Sequence, residues 1–111
     1  MSDEAIERRL QELRTTADEY SKAFSQKEYL EEFKKSKLAI LMKDAELAGF
    51  TTAAAQEREA RANDQYLELL KGLKAANELS ESLRWKLKIA EIGADIWRTQ
   101  QSNRRAEMNL R

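Results

Sequence analysis

Proline, histidine and cysteine are absent from this chain of 111 residues, and glycine occurs three times. Proline and glycine break helices or supply left-handed backbone, so their scarcity leaves long uninterrupted helices as the expected outcome. Without histidine or cysteine, the commonest transition-metal ligands, the usual general base and the best nucleophile are missing. The lack of cysteine also excludes disulfide staples and is compatible with a reducing compartment. Excess charge of either sign is absent too: 20 basic residues balance 20 acidic ones, so no global field draws the chain to nucleic acid or anionic membrane. The acidic start Met1-Ser2-Asp3-Glu4 lacks the basic residues and apolar run of a signal peptide, and no stretch is apolar over a bilayer's thickness. The expectation is a soluble protein of the cytoplasm with no membrane contact and no cofactor.

Charged side chains, at 36% of the sequence, dominate what is present. From Asp3 onward the pattern is helical, with Ile6, Leu10, Leu13, Ala17, Tyr20 and Phe24 alternating spacings of four and three in the coiled-coil manner. Continuing that register would place Lys27, Glu31 and Lys34 on the stripe. The apolar residues Leu30, Phe33, Ile40 and Leu47 are displaced by one, which predicts a rotated contact face or a kink near Ser25-Gln26. Tyr20, Phe24, Tyr29 and Phe33 occupy neighbouring turns and are expected to fill the core.

Gly49 reads as a helix C-cap, followed by a threonine N-cap at residues 51–52. The chain is accordingly expected to be one helical domain over residues 1–111, with helices at about 3–48, 52–62 and 64–108, the last one opened by Asn63 and Asp64. Gly72 and Gly93 fall inside that last helix, where their expected role is to admit another helix closely. Two stripes, read as adjacent, run along it: Leu69, Leu73, Ala76, Leu83, Leu87, Ala90, Ala94 and Trp97 on one, Trp85, Ile89, Ile92 and Ile96 on the other. So wide an apolar arc exceeds what one partner helix covers. The expected architecture is all-α, a long antiparallel helical hairpin with a short connecting helix, assembling as a dimeric four-helix bundle or coiled coil. Trp85, Ile89, Ile92 and Ile96 are its candidate oligomer or core residues.

Enzymatic chemistry finds little support. The helical di-metal motif needs Glu-x-x-His, and there is no histidine. Glu28, Glu31 and Glu32 cluster, but Lys27, Lys34 and Lys35 interleave with them, as on a solvated charged face. No glycine-rich phosphate loop is present, and serine or threonine nucleophiles lack their usual base. The expectation is a non-enzymatic binding protein with no catalytic, cofactor or metal residues.

Charge is unevenly spread: residues 84–111 hold seven basic residues against three acidic, whereas residues 64–83 hold two against four. At the basic end Arg98, Gln101 and Arg105 share one helical face, and Trp97, Gln100 and Arg104 the next. Arginine with amides and an aromatic can hold phosphates and stack on bases, and can equally pack against an acidic partner helix. These six are the candidate nucleic-acid or partner-binding residues.

The segment IWRTQQSNRRAEM at residues 96–108 resembles the ending of a family of small helical bacteriophage and prophage proteins. AAAQEREA at residues 53–60, followed by Tyr66-Leu67, is similar to that family as well. The resemblance implies a phage-encoded accessory protein acting in the host cytoplasm, often found with recombination or replication genes and without an established biochemical activity. It would bind single-stranded DNA or a recombination or replication protein, through Arg98, Arg104 and Arg105 with Trp97, Gln100 and Gln101 orienting the contact. The alternatives are an inhibitor of a host nuclease or defence protein, and a virion or assembly component. Small hairpins secreted by type VII systems are similar in outline, but they carry Trp-x-Gly at the bend where this chain has Ala48-Gly49-Phe50.

Overall fold

The computed structural model describes residues 2–110, and those residues form three helices and no strand: α1, Asp3–Leu47; α2, Ala53–Arg61; and α3, Asp64–Asn109. Each break has a local cause. Ser2 caps α1 by accepting a hydrogen bond from the Ala5 amide at 3.2 Å, and Asp3 and Glu4 place negative charge at the positive end of the helix dipole. Beyond Leu47 the amide of Phe50 returns to the Ala45 carbonyl and that of Gly49 to the Glu46 carbonyl, both at 3.1 Å. This is a Schellman closure; it needs a left-handed residue, and Gly49 supplies it with φ of 107°. Thr52 then caps α2 through the Ala55 amide at 3.1 Å, and Asn63 caps α3 through the Gln65 amide at 2.8 Å.

The chain divides into two compact units. One spans Ser21–Ser80 and therefore contains the turn region and α2. Its core is Leu41, Ala60 and Tyr66, with Leu38 and Met42 packed against them, so one alanine of α2 plugs the space between the two long helices. Lys37 donates to the Gln65 side-chain carbonyl at 2.6 Å, and Phe33 shares a surface hollow with Leu69. Rising residue numbers in α1 thus meet falling ones in α3, and the helices run antiparallel.

The other unit joins α1 through Tyr20 to α3 from Glu81 onward. Thr16 and Leu83 are its buried residues, flanked by half-buried Leu13, Tyr20, Leu87 and Ala90. The Thr16 hydroxyl donates to the Glu12 carbonyl at 2.9 Å, which meets its hydrogen-bonding need inside its own helix. Tyr20 lies within electrostatic range of Arg84, while Ile6 and Leu10 line one groove with Trp97, so this pair is antiparallel as well.

Burial corrects four expectations. The α1 contact face does not rotate after Phe24: Ala23, Lys27, Leu30, Lys34, Lys37, Leu41 and Ala45 continue it, while Ile40 and Leu47 face solvent. Lysine is tolerated there because its four-methylene stem packs while the ammonium reaches out, as Lys37 does to Gln65 and Lys27 does over the Phe24 ring at 4.7 Å. Of the four aromatics assigned to the core only Tyr20 is half-buried; Phe24, Phe33 and especially Tyr29 are exposed, with Tyr29 and Phe33 stacked at 5.9 Å. Neither Gly72 nor Gly93 admits a neighbour, since a Cβ added at either would meet nothing within 4 Å.

The fourth correction concerns α3. Its buried and half-buried positions, among them Tyr66, Leu69, Leu73, Ala76, Ser80, Leu83, Leu87 and Ala90, keep one face inward by steps of three and four. At 3.6 residues per turn, Trp85, Ile89, Ile92 and Ile96 lie roughly 160° around the helix from that face. The two stripes are opposed, not adjacent, and among the described residues no other helix covers the outer one: its residues are 50 to 64% exposed.

Candidate functional site: the exposed faces of the last helix

Among the described residues no group of acidic side chains is placed to hold a metal ion. Glu28, Glu31 and Glu32 are exposed, and Glu32 pairs with Lys35 at 3.1 Å. No helix is long and apolar enough to cross a membrane. The basic end, the groove beside Trp97 and the outer stripe all belong to the unit that contains the C-terminal half of α3.

The six residues singled out at the basic end divide by position. Trp97 lines a groove of about 380 Å³ with Ile6, Leu10 and Leu13 of α1 and Ala90, Gly93 and Ala94 of α3, Arg9 standing at its edge. The groove exists because α3 sets three small residues opposite three large ones, so the two helices leave a trough that neither fills. Gln101, one turn on, is half-buried. Arg98 is engaged by the Asp95 carboxylate three residues earlier. Gln100 lies beside Ile92 and Ile96, at the edge of the outer stripe. Arg104 and Arg105 are exposed, and neither forms an ion pair among the described residues. Because Ile6 shares a groove with Trp97, the α3 turns that bear these two arginines run on past the first turn of α1.

The outer stripe begins at Trp85, with the Arg84 guanidinium 5.3 Å and the Lys88 ammonium 5.1 Å from its ring. Cations over an indole face are attracted by its quadrupole and partly cover it. Arg84 is itself held by Glu81, with bonds of 3.2 and 2.9 Å to one carboxylate oxygen, and this hydrogen bond and charge raise its pKa above the usual arginine value. Ile89, Ile92 and Ile96 extend the stripe, and Lys86, Lys88 and Asp95 lie along its flanks.

The groove is the feature the sequence did not reveal. Its signal was present as Ala90, Gly93 and Ala94 within five residues, yet small residues on a helix ordinarily mean close packing, and only the positions of Ile6, Leu10 and Leu13 show that the space stays open. No protein-family model matches the chain, and no curated protein or solved structure matches it significantly.

Proposed function

We propose that this chain is a non-enzymatic accessory protein of bacteriophage origin that works as a homo-oligomer in DNA recombination or replication. In this reading the basic end of α3 binds single-stranded DNA or the acidic surface of a recombination protein. The observation that carries it is the pair Arg104 and Arg105, exposed and without an acidic partner among the described residues. An arginine already matched to a carboxylate gains little from a phosphate, whereas an unmatched one gains a full charge-assisted contact. The resemblance of residues 96–108 to phage proteins supports the assignment, and host cytoplasm is the location that goes with it.

Fluorescence anisotropy of labelled single-stranded DNA at low salt tests this. Arg104→Ala with Arg105→Ala should weaken binding at least tenfold, and Arg98→Ala should matter less, because Asp95 already engages Arg98. Absence of binding to the folded wild-type protein at low salt overturns the DNA reading.

The groove beside Trp97 favours a second reading, in which the partner is a host nuclease or defence protein that inserts apolar side chains there. Affinity capture from host lysate with and without nuclease treatment separates the two: one host protein retained after nuclease supports inhibition, and loss of all partners supports DNA binding.

A further inference from the structure

We infer that the outer stripe of α3 is a self-pairing surface on which a second copy of the chain docks antiparallel, centred between Ile89 and Ile92. The inference rests on the reading that the chain is a homo-oligomer and specifies how its copies meet. Trp85, Ile89, Ile92 and Ile96 repeat at spacings of four, three and four, the pattern that seats side chains of one helix between those of another. Each is at least half exposed. Together they offer on the order of 400 Å² per copy, about half of what one partner contributes to a standard interface. The flanking residues Lys86, Lys88 and Asp95 add to that area.

Charge selects the direction. In an antiparallel pair, Trp85 stacks against the partner's Ile96 and Ile89 against the partner's Ile92, which brings Lys88 alongside the partner's Asp95 twice by symmetry. A parallel pair would instead set the two basic ends side by side, each with seven basic residues against three acidic over residues 84–111. Because the stripe lies opposite the face that meets α1, the resulting order within this unit is α1, α3, α3 of the partner, α1 of the partner: a layer of four helices.

The 111-residue chain contains no cysteine, so introduced thiols report the pairing directly. Ser82 and Thr99 extend the outer stripe by one step at each end and are exposed, so replacing them leaves every apolar contact in place. Sedimentation of the wild type should show a dimer at tens of micromolar, with Ile92→Asp monomeric and still helical by circular dichroism. On oxidation, Ser82→Cys mixed with Thr99→Cys should give crosslinked dimer, while either variant alone should give little. Self-crosslinking of each variant alone overturns the antiparallel arrangement. A dimer that crosslinks in neither test, or one that survives Ile92→Asp, overturns the choice of face. A wild type that stays monomeric removes the homo-oligomer reading as well, and leaves DNA binding by Arg104 and Arg105 to be judged by its own titration.

Discussion

Gly49 and Gly72 are the same residue in opposite circumstances. At Gly49 the backbone is left-handed, where a Cβ collides with the chain's own carbonyl, so Gly49→Ala should lower unfolding free energy by about 1 to 2 kcal/mol. At Gly72 the backbone is helical and a Cβ meets only open space, so Gly72→Ala should raise it by about 1 kcal/mol. Urea titration by circular dichroism measures both, and equal signs would contradict the structure. The first circumstance was legible in the sequence, because a cap depends on neighbours within five residues: Ala45, Glu46 and Phe50 close the turn. The second was not, since whether a helix passes over Gly72 depends on residues far along the chain. By the same measure the difference between Arg98 and Arg105 was legible too, since the aspartate that engages Arg98 lies only three residues before it.

Among the elements, α1 shows that burial follows the stem of a side chain more than its charge. Lys27, Lys34 and Lys37 continue the inward face because their methylenes are as apolar as those of leucine. Lys34→Leu should therefore raise stability by about 1 kcal/mol, read from the urea midpoint, whereas Ile40→Lys on the outer side should change it by less than about 0.5 kcal/mol. A periodicity reading that scores lysine as polar shifts the register at this point, and that is why Phe33, Ile40 and Leu47 looked like contact residues. Helix α3 posed a different difficulty. All-helical character followed from composition, and both apolar stripes were visible; their opposition follows from 3.6 residues per turn, so reading them as adjacent was an error of angle, and burial added which of the two meets α1. Tyr66 was likewise readable as apolar; its place in the core required α2 to fold Ala60 against it and Leu41.

At the scale of the whole molecule, the proposed binding of single-stranded DNA through few arginines implies a shallow salt dependence. Two to three phosphate contacts per copy predict a slope of about −1.4 to −2 for log K against log salt on single-stranded DNA. Removing Arg104 and Arg105 should flatten it by about 1.4, to between about 0 and −0.7, and an unchanged slope would place the phosphate contacts elsewhere. In the antiparallel pair the two Arg104 side chains would stand roughly 40 Å apart along the helix direction, so one dimer should take up two short oligonucleotides and the Ile92→Asp monomer one. The opposed faces of α3 have a mechanical consequence. A helix is stiff in torsion, and in the proposed dimer α3 is a rod gripped on two opposite sides, unable to turn toward one grip without turning out of the other. Filling the trough beside Trp97 so as to roll α3 would transmit a torque to Ile89 and Ile92, and the dissociation constant of the dimer would register it.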